Sequence, residues 1–210
     1  TFAILSSLSF SVSRTTPQFF ARSDSTSGLL SVRSWRSTSA VKSPGGTAVL
    51  NGDDPNVMWM KGETRARIVT FGFGAACDVR AVDARIDWPL GTRFRLLAFG
   101  NECDVSIRLL GRHMVYAALA AIAVAHLEGV PLADALARLA ALAPTPGRLQ
   151  AIELRNGATL LRDDYKSPVE TIDAAIDVLE EMPARRRIVL LGEISEPPNP
   201  QHATYRRIGE

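Results

Sequence analysis

The chain has 210 residues, of which 46% are hydrophobic and 22% charged, and its formal net charge is +2. This is globular composition, enough for one full domain or two small ones with a buried core. A charge balance so near zero excludes a strongly basic nucleic-acid binder and a disordered acidic tail.

The opening segment differs from everything after it. Residues 1–46 carry Arg14, Arg22, Arg33, Arg36 and Lys42 against Asp24 alone, whereas the remainder is net acidic. Serine fills 13 positions in residues 1–43 and recurs later only at Ser106, Ser167 and Ser195. No period of 3.6 or 2 is sustained there. Three readings fit residues 1–45: an organellar transit segment rich in Ser and Arg, text from a shifted reading frame, or a flexible polar tail. Each predicts a segment that lies off the body of the fold and carries no chemistry.

From residue 46 the elements follow closely. Thr47–Asn51 is a short apolar strand after the turn signal Pro44-Gly45-Gly46. Asp53-Asp54-Pro55 opens a short helix, with a capping carboxylate ahead of a first-turn proline. Arg67–Phe71 is a second strand, closed by Gly72 and Gly74. Asp78–Trp88, Thr92–Phe99 and Cys103–Leu109 alternate, with Val82, Ala84, Ile86 and Trp88, then Phe94, Leu96 and Ala98, then Val105, Ile107 and Leu109 facing inward. Period two with one wet face predicts antiparallel strands on a core.

His113–Leu127 is apolar on nearly every face and is expected to be a buried helix. Its run Met114–Ala125 is too short to span a bilayer, so no membrane association is expected. Leu132–Leu142 is amphipathic, with Leu132, Leu136, Leu139 and Ala143 on one stripe. Ala143-Pro144-Thr145-Pro146-Gly147 then stops the helix and reads as an interdomain hinge. Beyond it, Leu149–Leu154 and Ala158–Leu161 flank the hairpin signal Asn156-Gly157. Pro168–Glu181 is an amphipathic helix, Ile188–Leu191 an apolar strand, and Glu196–Pro200 a loop. Strand, helix, strand at this spacing opens a three-layer α/β domain. The division is therefore 1–45, 46–145 and 146–210, and the class is α/β.

Cys77 and Cys103 are far apart without C-x-x-C spacing, and the three histidines are scattered, so neither a zinc site nor a disulfide scaffold is expected. A reducing cytoplasm fits this usage. Asp163-Asp164-Tyr165-Lys166 sits after a strand and before a helix, where open α/β sheets hold ligands; a helix cap with a solvated lysine is the plainer alternative. Arg148, after Pro146-Gly147, is placed to clamp a phosphate or ribose from the hinge, or simply to face solvent. Gly111-Arg112-His113 enters the buried helix at an anion-friendly position, or with an ordinary N-terminal histidine. Gly72-Phe73-Gly74 is a glycine pair, and G-x-x-x-x-G-K-[ST] occurs nowhere in the chain.

The order AVLNGDDPNV, IVTFGFG…DVRA, LLGRHMVYAALAAIAVA, LAPTPGRLQ and LLRDDYKSPVETIDAAIDVL resembles the Mur ligase family over about residues 45–205. The resemblance implies the end of the family's central ATPase domain, a mixed sheet with helices, and then the opening of its Rossmann-like C-terminal domain. It also implies ATP and Mg²⁺, with a carboxylate phosphorylated and an amine then attacking the acyl phosphate to give an amide and ADP. The nearest branch adds a dipeptide such as D-Ala-D-Ala to a UDP-muramoyl peptide in peptidoglycan precursor synthesis. Carried over by motif, Arg148 is the hinge arginine at the nucleotide, Asp164 the acid at ribose or phosphate, Lys166 a phosphate lysine, and His113 the histidine of a G-R-H-N-x-x-N pattern. The two asparagines of that pattern, which bind adenine in relatives, correspond here to Met114 and Ala117, whose side chains cannot hydrogen-bond a base edge.

The family's phosphate loop, its Mg²⁺ ligands and its UDP-substrate domain precede the portion matched. Lys42 lacks the A-K-x-E context of the family's carbamylated lysine. The resemblance therefore implies a fragment, inactive alone, of an amide-forming ligase, with no catalytic residue and no metal ligand assigned. The alternatives are a non-catalytic nucleotide-binding or scaffolding remnant and a ligase of the same family acting on another amino acid.

Overall fold

The computed structural model describes residues 19–21, 46–195 and 201–209. Its centre is a six-stranded sheet in sequence order: β1 (Phe19–Ala21), β2 (Thr47–Asn51), β3 (Arg67–Gly72), β4 (Val79–Asp87), β5 (Gly91–Ala98) and β6 (Asn101–Ile107). β2–β3 and β3–β4 pair in parallel, and the other neighbours are antiparallel, so the expected mixed sheet is present. Helix α1 (Pro55–Met58) and a 3-10 turn (Trp59–Gly62) join β2 to β3; α2 (Arg112–Leu127) and α3 (Leu132–Ala141) follow β6.

β2 and β3 are buried on both faces, as parallel strands usually are. Val49, Val69 and Phe71 face the main core, whereas Ala48 and Leu50 face Val57 and Met60 beneath α1 and its 3-10 turn. The helix predicted at Pro55 starts as expected, with the Asp54 carboxylate accepting from the Asn56 N–H at 2.8 Å. α2 lies across the sheet and buries Val115, Ala118, Leu119, Ala120, Ile122 and Ala123. An all-round apolar helix is stable only with cover from more than the sheet, and α3 packs against both α2 and β6. Within α3, Leu132, Leu136 and Leu139 form the inward stripe, but Ala143 lies past the helix end and is exposed.

Three further expectations need correction. Phe19–Ala21, inside the segment expected to lie off the fold, pair antiparallel with Ala48–Leu50 and cover the edge of β2 that would otherwise stand unpaired. The rest of residues 1–45 lies outside the described residues. In β4 the inward phase is not uniform. Val79 and Ala81 are buried, then a bulge between Val82 and Arg85, with Asp83 at φ +54°, moves the inward positions to Ala84, Ile86 and Trp88. One inserted residue reverses the phase of every later side chain. Third, Ile188–Leu191 form no strand and are exposed. Apolar β-branched residues become a strand only where a partner strand exists, and none of the described residues supplies one.

The chain after the hinge forms the hairpin β7 (Gln150–Glu153) and β8 (Thr159–Arg162), then α4 (Val169–Glu181) and α5 (Gln201–Gly209). Sequence periodicity assigned no element to α5. Tertiary contacts hold it: the Tyr205 hydroxyl accepts from the Ile194 N–H at 3.1 Å, and Arg207 reaches both Asp173 carboxylate oxygens at 3.2 Å.

A small apolar seam joins this region to the sheet. Leu110, Leu149, Val178 and Met182 are buried there, with Ile86, Trp88, Ala151, Leu161, Ala175 and Leu179 around them. Thr92 fastens the turn beside it, its hydroxyl donating to the Leu109 carbonyl at 2.8 Å and accepting from the Gly111 N–H at 3.0 Å. Gly91 permits the close approach, since a Cβ there would lie 1.9 Å from the Ile107 carbonyl oxygen. His113 is seated in the same seam. Burial lowers its pKa to about 4, with Asp177 pulling weakly the other way.

Two stability predictions follow from this packing. Leu119→Ala should cost about 3 kcal/mol in chemical denaturation, because the side chain is fully enclosed. His113 is neutral in the folded chain well below the pH at which an unfolded histidine protonates. Its contribution is therefore complete above about pH 6.5 and is lost as pH falls from there towards 4. That loss should be about 3 kcal/mol and should flatten in His113→Gln, measured as unfolding free energy against pH.

Candidate functional site

Two clusters of polar side chains lie at the ends of these elements. The first is at the carboxyl end of β2 and β3. Asp54 caps α1, which leaves Asp53 free to turn the other way. Its carboxylate accepts from the Phe73 N–H at 2.6 Å and the Gly74 N–H at 2.8 Å, and from the Tyr116 hydroxyl of α2 at 2.9 Å. The glycine pair makes room for this. A Cβ on Gly72 would lie 2.6 Å from Asp53 Oδ2, and one on Gly74 2.8 Å from Asp53 Oδ1. Gly72-Phe73-Gly74 is thus a carboxylate-holding turn and not a phosphate loop.

Arg112 and Phe73 complete the cluster. The guanidinium of Arg112 stands 3.7 Å from the centre of the Phe73 ring, and Phe73 meets Tyr116 edge-on at 4.9 Å. Burial, then the hydrogen bond to Asp53, raises the Tyr116 phenol well above its ordinary range, so it is a fixed donor at neutral pH. Burial and the same carboxylate also raise the Cys77 thiol, whose Sγ lies 3.9 Å from Asp53 Oδ1. A thiol kept protonated is a poor nucleophile. The cluster is therefore a rigid polar platform at the sheet edge, without a reactive group.

The second cluster is the linker. Gly147, at φ +72°, packs against Asp164: a Cβ there would lie 2.6 Å from Asp164 Oδ1. The Tyr165 N–H donates to the Gly147 carbonyl at 3.1 Å. Arg148 lies 4.9 Å from the Tyr165 ring centre and donates to the Lys166 carbonyl at 3.2 Å. Arg162 grips both oxygens of Asp164 at 2.9 and 3.0 Å. Asp163 turns inward and accepts from the Leu149 N–H at 3.1 Å; burial raises its pKa, and that hydrogen bond and Arg148 oppose the rise. Leu149 takes φ +43°, an uncommon conformation for its type, where its side chain enters the seam.

Of the residues singled out from sequence, Arg148, Asp164 and Lys166 come together at the linker. His113 does not join them through any hydrogen bond or ion pair among the described residues. It packs instead on Gly111 and α4, where Val178 lies. Met114 and Ala117 are on α2 beside Tyr116, and Met114 packs on the main core. Asp53, Tyr116 and Arg112 were not legible as a group. The signal available was the doubled carboxylate Asp53-Asp54, of which a cap needs only one, together with two glycines spaced by one residue after a strand. Among the described residues no group of three or more His, Cys, Asp or Glu is placed to hold a metal ion, and no helix is long and apolar enough to cross a membrane.

The architecture and both clusters can be set beside known proteins. Residues 38–125 match the Mur ligase middle domain. That match begins inside the Ser-rich segment, earlier than the boundary the composition implies. The UDP-N-acetylmuramoyl-tripeptide–D-alanyl-D-alanine ligase of Escherichia coli K12 is 33% identical over 167 residues, covering 79% of this chain and 36% of the relative. The UDP-N-acetylmuramoyl-L-alanyl-D-glutamate–2,6-diaminopimelate ligase of Halalkalibacterium halodurans is 36% identical over 124 residues, covering 59% and 25%. Among solved structures, MurF from Acinetobacter baumannii aligns with a TM-score of 0.61 at 26% identity, over 67% of this chain and 30% of that one. The fold also matches MurF ligase from Thermotoga maritima, solved in complex with ADP, with a TM-score of 0.69 at 20% identity over 81% and 39%. The chain thus spans between a quarter and two fifths of the proteins named here. With a matched middle domain, a sheet of the same architecture and relatives named as ligases of both peptide branches, residues 38–125 are a Mur ligase middle-domain segment and the chain is similar to Mur ligases over most of its length.

Proposed function

We propose that this chain supplies the sheet edge and linker of an ATP-dependent ligase that joins a dipeptide such as D-Ala-D-Ala to a UDP-muramoyl peptide in the cytoplasm. The observation that carries the reading is the linker cluster, where Arg148, Asp164 and Lys166 are held on one turn by Gly147 and Tyr165. The choice of dipeptide branch rests on the match to the Escherichia coli relative over 79% of the chain.

ATP, when bound, would supply the phosphoryl group that activates a carboxylate for attack by an amine. The residues present fit part of a nucleotide. Arg148 offers a planar fork of donors suited to phosphate or ribose oxygens, and Lys166 a cation without an ion-pair partner among the described residues. Asp164 supplies an acceptor for ribose hydroxyls, already oriented by Arg162. His113, neutral and packed on α4, seats the C-terminal region next to the nucleotide. Mg²⁺ does not fit the described donor set, since no suitable carboxylate–histidine group occurs there. No step is assigned to it on this chain. Bringing the linker against the platform would orient the reacting groups and exclude water, which is the usual contribution of such closures.

A second reading, a non-catalytic nucleotide-binding remnant, is favoured by one observation. The positions of the base-binding asparagines are Met114 and Ala117, whose side chains cannot hydrogen-bond a base edge.

Both readings predict that the chain binds ADP, measured by titration calorimetry, and that Arg148→Ala and Asp164→Asn each weaken binding about tenfold. Absence of binding, or indifference to both variants, would remove the linker from the nucleotide. Turnover tests what the chain does alone. Incubated with ATP, a UDP-muramoyl tripeptide and D-Ala-D-Ala, the chain should release no ADP above a blank, because phosphoryl transfer needs an anchored metal and a phosphate cradle. Amide formation by the chain would overturn the remnant reading and extend the first.

A further inference from the structure

One aromatic ring stands among the charged groups of the linker. Tyr165 lies between Asp164 and Lys166 in the chain and is 72% exposed, whereas Trp59 and Tyr205 are 39% and 38% exposed. A ring so open gains little from burial, so its placement is set by local contacts. The Tyr165 N–H donates to the Gly147 carbonyl at 3.1 Å, and a Cβ on Gly147 would stand 3.4 Å from Tyr165 Cβ. Gly147, at φ +72°, allows that approach. The backbone is therefore fixed before any ligand arrives, and a tyrosine has only two torsions left to order.

One face of the ring is already taken. The Arg148 guanidinium lies over it, 4.9 Å from its centre and within cation–π range, while donating to the Lys166 carbonyl at 3.2 Å. With that cation behind it and 72% of its surface exposed, the ring has its other face open.

The neighbouring groups define what can lie on that face. Asp164, oriented by Arg162 at 2.9 and 3.0 Å, is an acceptor for sugar hydroxyls, and Lys166 and Arg148 are cations for phosphate oxygens. In a nucleotide the ribose joins the phosphates to a flat heterocycle. A ribose at Asp164 brings that heterocycle next to residue 165, where the open group is an aromatic face. Stacking on such a face is favourable for every base, because each base has a π-face. The side chains flanking the ring are engaged with each other or with backbone, Asp164 with Arg162 and Arg148 with the Lys166 carbonyl. Contact through the π-face does not depend on the donors and acceptors along the base edge.

We infer that Tyr165 stacks on the base of a purine nucleoside diphosphate, with Arg148 behind the ring, and accepts adenine and guanine alike. This rests on the nucleotide reading above and carries it from ribose and phosphate to the base.

Titration calorimetry of the 210-residue chain with ADP and with GDP, together with proton NMR of the bound nucleotide, tests this. The two affinities should agree within about threefold, and the base H8 proton of each should move upfield, as it does above an aromatic ring. Tyr165→Ala should weaken both nucleotides about tenfold and abolish the upfield shift. Tyr165→Phe should retain affinity and shift, since it keeps the ring. Tyr165→Leu, which keeps apolar cover over Arg148, should lose the shift. A ring that only braced Arg148 would cost affinity on removal without ever moving H8, so a wild-type complex with no upfield shift overturns the stack. GDP bound tenfold more weakly than ADP overturns it as well, because the base edge would then be read. Binding that depends on Arg148 but is indifferent to Tyr165→Ala removes the stack alone. No ADP binding by the wild-type chain removes the nucleotide from the linker, and the stack with it.

Discussion

The Asp53 carboxylate is the interaction on which the sheet edge depends. It follows β2 in the chain, takes two backbone N–H groups from the turn after β3, and takes the Tyr116 hydroxyl from α2. Three elements distant in sequence are thereby fixed to one side chain. These donors converge on the carboxylate only because Gly72 and Gly74 have no Cβ, and a charged acceptor strengthens each bond. The consequences pass outward. Phe73 is positioned for Arg112 and Tyr116, and the first turns of α2 are set relative to the sheet.

α2 then transmits that placement to the rest of the molecule. On one side its apolar residues close the sheet core; at its start, Gly111 and His113 meet Val178 of α4. The seam is small compared with the sheet core. It is maintained by packing of Leu110, Leu149, Val178 and Met182, and by the two hydrogen bonds of Thr92. A limited apolar seam beside a linker with two prolines permits relative movement of the two parts, as between domains that close on a ligand. The linker residues Arg148, Asp164 and Lys166 ride on the mobile side of such a joint.

The two polar clusters differ in kind. The platform around Asp53 is committed: its carboxylate accepts three hydrogen bonds, and burial and that carboxylate keep the Tyr116 phenol and the Cys77 thiol protonated. The linker cluster has only part of its capacity committed. Arg148 uses a single bond to a carbonyl and a ring face, and Lys166 contributes only its carbonyl. A ligand binds where donors remain to be satisfied, and of the two clusters the linker is the one with donors to spare. This is the physical ground for placing nucleotide contacts at the linker.

Much of the fold was legible in the residues themselves. Alternation along β5 and β6, the Asn156-Gly157 hairpin, the proline start of α1 and the apolar circumference of α2 are local patterns, and each element appeared within a residue or two of its expected bounds. The linker arginine and acid stand out in sequence because each sits in a short local motif, and the turn at Gly147 brings those two motifs side by side. Only the tertiary structure decided the rest. The phase change at Asp83 depends on which residue the partner strand faces, and the edge strand at Phe19–Ala21 on the free edge of β2. The double carboxylate divided its roles only once β3 arrived beside it: Asp54 kept the cap, and Asp53 crossed to another strand. Ile188–Leu191 has the composition of a strand, but a strand is a property of two segments, and its backbone has no partner among the described residues. Local pattern specifies what an element can be, and long-range pairing decides whether it is formed and which way its side chains point.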